Sequence, residues 1–318
     1  MCFSNINGAL RKAYEKCTDR IDLDSSTKIA IFSDLHRGVG DGADDFFHNR
    51  LVFGYALYYY YKKGFTYVEL GDGDELYENR KLIDIAQAHG DIFGALNAFH
   101  NENRFYYVLG NHNIQMGKPR WFRKAVEGAR THFPELFLNL RVYKTLKLGE
   151  RIFLVHGHQG DLINDFLAPF GRFWVRYVWR PLQAVAGFKD PARPAENEKK
   201  RNKLEEAILS WARAKRVVVI AGHTHRSMFS ALSKQDRKLG QKNEEPNYFN
   251  CGSGVHPRCV TGLEIQDMTI ELVKWHIVAD PRGEGCLKVA RQPIKDCRRG
   301  LNDIFAEIDR LASGQAQG

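Results

Sequence analysis

The sequence has little of what would place it in an oxidising compartment or a membrane. Its six cysteines, at positions 2, 17, 251, 259, 286 and 297, form no Cys-x-x-Cys pair. The N-terminal stretch MCFSNINGALRKAYEK lacks the long apolar core of a signal peptide. Both absences favour a reducing, cytoplasmic setting. No uncharged apolar run approaches the roughly 18 residues of a membrane span. The nearest, VFGYALYYYY at 52–61, is ended by Lys62-Lys63 and reads as a buried helix. Acidic residues are outnumbered, 38 against 47 basic ones, for a formal charge of +9.

What the chain does have is apolar runs that stop at metal-binding side chains. With 318 residues, 43% of them hydrophobic, it can bury a sizeable core. The run Lys28 to His36, KIAIFSDLH, reads as a buried strand ending in Ser33-Asp34-Leu35-His36. Asp34 and His36 alternate with Leu35, so the two-residue period of extended chain points both one way and turns Leu35 back to the core. Four more runs end alike: YVELGDGDE (67–75), FYYVLGNHN (105–113), RIFLVHGHQGD (151–161) and RVVVIAGHTH (216–225). Glycine beside each candidate permits a tight turn, and open α/β sheets hold ligands beyond the carboxyl ends of their strands. A lone Asp-x-His or His-x-His is ordinary loop chemistry; five such endings in order can converge on one edge.

The ordered set Asp-x-His, Gly-Asp, Gly-Asn-His, His-Gly and Gly-His-x-His, spanning residues 34–225, resembles the calcineurin-like metallophosphoesterase superfamily. The resemblance implies an α/β fold, a four-layer α-β-β-α sandwich of two mixed sheets, with a two-metal centre at the strand ends. It assigns Asp34, His36, Asp72 and His225 to one ion and Asp72, Asn111, His156 and His223 to the other. A carboxylate has two oxygens, which suits Asp72 to the shared position. The set has histidine, carboxylate and amide but no thiolate, which suits two divalent transition-metal ions, Mn, Fe or Zn. A hydroxide bridging the ions attacks phosphorus in such enzymes, and His112 protonates the leaving oxygen. No covalent protein nucleophile is needed. Asn113 stands where an acid usually follows this histidine, so the orientation of its imidazole is an open question. Glu75 matches an acidic position that supports the site more readily than it binds metal.

Other candidates are more open. His158 faces substrate phosphate or bonds to a nearby carbonyl, and Asp161 resembles the acid of a shorter His-Gly-Asp motif. Arg226 contacts phosphate or is simply solvated. Asp41, Asp44 and Asp45 extend the metal site, or else belong to a mobile solvated loop and cap the helix that runs to Lys63. The segment 167–188 is aromatic and basic, with Arg172, Arg176 and Arg180 at four-residue spacing and Phe173, Trp174 and Trp179 among them. It reads as a helical insertion that either packs its aromatics on the core or forms a rim for an anionic, partly apolar substrate. In the second case it could also touch a membrane surface peripherally. An insertion at this point also occurs in the UDP-2,3-diacylglucosamine hydrolases, a likeness of position alone, since those enzymes carry Arg where this chain has His112. Nucleic acid is a possible partner by charge, with no accompanying motif.

The expected organisation is a phosphoesterase domain at 28–278, with the insertion at 162–214, an N-terminal helical extension at 1–27 and a C-terminal appendage at 279–318. Amphipathic patterning predicts a helix over 8–20, another over 78–99 that Gly90 interrupts, and one near 301–311. The segments 248–257, VTGLEIQ and MTIELVKWHI read as strands, with Asn250 to Ser253 lining the site and His256 structural. The expected activity is hydrolysis of a phosphomonoester or phosphodiester. The alternatives are a nucleotide-sugar or lipid pyrophosphate hydrolase, or a non-catalytic protein that uses the same pocket for binding.

Overall fold

The computed structural model describes residues 3–158, 195–241, 244–280 and 286–314. Asp161, Arg172, Arg176, Arg180, Phe173, Trp174 and Trp179, with the whole 167–188 surface, lie outside the described residues. Of the 162–214 insertion, the described part is the helix Ala195–Lys215.

The first long strand, Lys28–Phe32, shows why the molecule is layered. Ile29 and Ile31 are buried in one apolar cluster, and Ala30 and Phe32 in another. A strand that is apolar on both faces must be covered on both. One side is covered by helices and the other by a second sheet.

The first sheet runs Leu287–Gly300, Thr269–Ala279, Cys259–Gln266, Lys28–Phe32, Thr66–Leu70, Phe105–Val108 and Val142–Tyr143. Its last four strands are parallel and its first three antiparallel. The second runs Arg20–Ile21, Leu146–Leu148, Ile152–Leu154, Val218–Ala221, Tyr248–Asn250, Met228–Phe229 and Leu232–Ser233. Between them Val68, Leu70 and Val108 meet Leu146, Ile152, Leu154 and Ile220. Helices Arg50–Lys62, Gly90–Asn101 and Pro119–Ala129 contribute to the core outside the first sheet. Phe3–Lys16 and Ala195–Lys215 pack outside the second. This is the expected four-layer α-β-β-α order. No helix among the described residues is long and apolar enough to cross a membrane.

Several local expectations shift. The N-terminal helix ends at Lys16, because Arg20–Ile21 pairs with Lys147–Leu148 as a short strand. Residues 78–99 divide into Leu82–Ala88 and Gly90–Asn101. The loop after His36 is pinned instead of mobile. Asp44 accepts hydrogen bonds from the backbone N–H groups of Gly40, Phe46 and Phe47 and is joined by His89 Nε2 at 2.8 Å. Its carboxylate thus holds the first N–H of the 3₁₀ turn Phe47–Asn49, after which the long helix begins at Arg50. The segment read as an appendage builds part of the core. Leu287–Gly300 extends the sheet as an edge strand, and Leu301, Ile304 and Ile308 fill the space between the sheets.

Candidate metal centre

Parallel neighbours bring their carboxyl ends to one edge, so the sheet order alone sets Asp34, His36, Asp72, Asn111 and His112 side by side. The parallel pair Ile152–Leu154 and Val218–Ala221 brings His156, His223 and His225 from the facing sheet. Backbone bonds lace the loops together. Asp34 N–H donates to Gly71 O at 3.1 Å, His36 N–H to Asp72 O at 2.9 Å, and Gly222 N–H to His156 O at 3.0 Å. Two carboxylates also take backbone donors: Asp34 Oδ2 from His223 N–H and Asp72 Oδ1 from His112 N–H, both at 2.8 Å.

The side chains converge by a different route from the extended alternation expected. Asp34, His36, Asp72, His223 and His225 all take left-handed backbone angles, with φ of 53°, 51°, 50°, 68° and 55°. Leu35 does turn into the core, fully buried. Each such residue costs of order 1–3 kcal/mol and persists where the surroundings over-determine it, as at binding sites. Asp and His tolerate this region better than most residues. The flanking glycines are required by space: a Cβ on Gly71 would stand 2.3 Å from His156 Nδ1, and one on Gly110 would stand 2.0 Å from Asp72 Oδ1.

Among the described residues, three groups with donor atoms within 4.8 Å of one another result: Asp34–His36–His225, His36–Asp72–His112 and Asp72–His156–His223. Asp72 belongs to two of them. Asp34 and His156 are fully buried, and Asp72 is 1% exposed. His225 Nε2 lies 3.3 Å from Asp34 Oδ1 and 3.1 Å from His36 Nε2. His156 Nε2 lies 3.0 Å from Asp72 Oδ2.

These atoms fit divalent cations. His156 Nδ1 faces the carbonyl of Leu70 at 2.9 Å, which can only accept, so Nδ1 carries hydrogen. The Nε2 lone pair is then aimed at a carboxylate, a contact that needs a proton or a cation between. Asp34 Oδ1 and Asn111 Oδ1 are buried without a hydrogen-bond partner among the described residues. Unsatisfied oxygens in a buried site are costly unless something positive meets them.

The protonation pattern follows from crowding. Burial opposes charge on Asp34, but His156 and His225 hold its carboxyl well below the usual range. Burial likewise opposes an imidazolium at His156, yet Asp72 and Asp34 push it up to about 9. His223 and His158 are driven down to about 3, by burial and then by the charge of His156. His158 stands 5.5 Å from the His156 ring, with Nδ1 buried and unpartnered among the described residues.

The group that positions His112 is Glu75. Its carboxylate takes Nδ1 of His112 at 2.8 Å and Nδ1 of His36 at 2.7 Å. Asn113 does not touch the imidazole. Its Oδ1 accepts from Gly110 N–H at 2.7 Å and its Nδ2 donates to Tyr107 OH at 2.8 Å, which fixes the turn instead. The residue after His112 thus shapes the loop, and the carboxylate comes from the neighbouring strand end.

Sequence reading passed over Arg37, which is fully buried. Its guanidinium grips Glu69 through both terminal nitrogens at 2.7 Å and Asp74 through Nε at 2.9 Å, lying 5.3 Å from the Phe93 ring. Tyr107 OH donates to the other Asp74 oxygen at 2.9 Å. Three loops of the centre are thereby tied by one polar network. Arg37→Ala is expected to lower stability by about 3–5 kcal/mol, since it strands buried carboxylates. Urea unfolding checks this; a loss under about 1 kcal/mol would contradict it.

Arg226 is committed elsewhere, to Asp236 at 2.5 Å and Asn202 at 3.1 Å. It lines a cavity of about 400 Å³ shared with Glu205 and Tyr248 and with none of the clustered histidines. His256, exposed, meets the carbonyl of His225 at 3.0 Å. Asn250 donates to Gly222 O at 2.8 Å, and Gly254 N–H donates to Asp34 O at 3.0 Å, so this segment does line the centre.

The family profile described as calcineurin-like phosphoesterase matches residues 27–227. Among solved structures, the chain is similar to Vacuolar Protein Sorting 29 from Cryptosporidium parvum, at 14% identity and a TM-score of 0.37, covering 85% of this chain and 99% of that one. It is also similar to a protein serine/threonine phosphatase from Saccharomyces cerevisiae with similarity to human phosphatase PP5. That likeness has 11% identity and a TM-score of 0.38, covering 89% of this chain and 92% of that one. No curated protein matches it.

Proposed function

The chain belongs to the calcineurin-like phosphoesterase family, and from that premise we propose that it hydrolyses a phosphorylated anionic substrate with two divalent transition-metal ions. The observation that carries this reading is the sharing of Asp72 between two donor groups, one completed by His36 and His112 of the first sheet and the other by His156 and His223 of the second. Asp34, His36, Asp72 and His225 would hold one ion, and Asp72, Asn111, His156 and His223 the other. When bound, the ions supply positive charge to phosphoryl oxygens and acidify a water for attack.

The chain's own contribution is orientation and proton delivery. Glu75 fixes the tautomer and direction of His36, as carboxylates commonly do for metal-binding histidines. The same carboxylate holds His112 Nδ1, leaving Nε2 to give a proton to the departing oxygen. Burial opposes charge on His112, but Glu75 and Asp72 raise its pKa above the ordinary imidazole value, which favours the acid form. Cys251 is no competing nucleophile: burial pushes its thiol far up.

Purified protein is expected to carry both ions. Chelation should abolish hydrolysis of p-nitrophenyl phosphate, and added Mn should restore it. Only trace metal, with no activity gained on adding Mn, would remove the reading.

A further inference from the structure

A basic helix adjoins the His112 side of the centre. From 118 to 130 stand five cations, Lys118, Arg120, Arg123, Lys124 and Arg130, against one acid, Glu127. All five are exposed, and none makes an ion pair with another described residue. Elsewhere exposed arginines do find acids, as Arg141 does with Asp19 at 3.3 Å and Arg213 with Glu245 at 2.5 Å. The helix Pro119–Ala129 buries Val126 and Ala129, so at 100° per residue Arg120 and Lys124 share the opposite face. Trp121, beside them, is 41% exposed.

Contacts join this helix to the loops of the centre. The Tyr77 ring lies 5.4 Å from the His112 ring, and Gln115 Nε2 donates to Leu76 O at 3.0 Å. Lys118 N–H donates to Gln115 O at 3.0 Å, and Gly128 stands where an added Cβ would lie 3.5 Å from Ile83. These contacts set the helix beside the His112 loop, so a chain held at the centre would pass Tyr77 toward Lys118.

We infer that this face binds the flank of a single nucleic-acid strand. Unpaired cations suit repeated phosphates, and aromatic side chains beside them suit exposed bases, which a strand offers and a duplex hides. A lipid surface fits less well, because the helix turns its apolar residues inward and leaves one tryptophan to insert. The inference deepens the phosphoesterase reading by naming the class of substrate.

The test is fluorescence anisotropy of a labelled phosphorothioate thymidine 12-mer with the metal-loaded protein over a salt series. If each cation neutralises one phosphate, log affinity should fall against log salt with a slope of about −3.5. Arg120→Gln, Arg123→Gln and Lys124→Gln together should bring it to about −1.4. Trp121→Ala should weaken binding about 5- to 150-fold with the slope unchanged. Thermal melting of each variant verifies its fold, and Trp121→Phe should keep most of the affinity. A slope that the triple substitution leaves unchanged, or tighter association with phosphatidylserine vesicles than with the 12-mer, overturns the inference. Aryl phosphate hydrolysis by the parent separates the two readings. An active parent that ignores the 12-mer removes the strand and keeps the hydrolase. A parent that is inactive yet binds with the expected slopes keeps the strand face and removes the hydrolase.

Discussion

Asp72→Ala is expected to strip both metal ions from the protein and to lower turnover of an aryl phosphate at least about 10²-fold, since several kcal/mol of charge stabilisation goes with them. His225→Ala is expected to halve the metal content instead. The difference follows from position: Asp72 lies within reach of His156 on one side and of His36 and His112 on the other, whereas among the described residues the His225 ring groups with Asp34 and His36. The alanine variant carries a complication, because Asp72 Oδ1 also holds the His112 turn and the residue sits at φ 50°. Asp72→Asn avoids it. Asparagine tolerates the left-handed backbone and can still accept the His112 N–H while losing the charge. Mass-spectrometric metal analysis of both variants decides the matter. Retention of both ions by Asp72→Asn would show that the carboxylate is not the shared group.

Much of this centre was legible because strand ends are marked twice, by an apolar run that stops and by glycine beside a polar residue. Asp34, His36, Asp72, Asn111, His112, His156, His223 and His225 all stand at such ends, and the sheet order brings them together. What is illegible depends on contacts across the sheets. Glu75 is three residues from Asp72, but that it serves both His36 and His112 follows from the left-handed turns, which no periodicity shows. Arg37 looks like a loop cation in sequence. Its burial depends on Glu69, an acid in the middle of a strand whose pattern otherwise reads as apolar.

The C-terminal strand failed for a related reason. Leu287–Gly300 carries Pro293 and alternates poorly, which a sheet edge with one flank in water tolerates. Its identity as a strand comes from pairing with Thr269–Ala279. The question that Asn113 left open is answered by its short side chain, which has a nearer use in satisfying Gly110 and Tyr107.

Replacing His112 should separate proton delivery from metal binding. His112→Ala is expected to slow hydrolysis of an alkyl phosphate about 10²- to 10⁴-fold while leaving metal content near that of the parent. The defect should shrink as the leaving group becomes more acidic, since such an oxygen departs without protonation. The pH profile carries the sign. The working form of His112 is the protonated one, so activity should fall as pH rises through its pKa, which Glu75 and Asp72 raise against the effect of burial. Glu75→Gln removes one of those charges and should move the alkaline limb to lower pH; His112→Ala should abolish that limb. Because Glu75 also holds His36, metal content must be measured in the same samples. A defect of the same size for alkyl and nitrophenyl phosphates, with the alkaline limb unmoved in both variants, would assign His112 to substrate positioning and leave the proton to solvent.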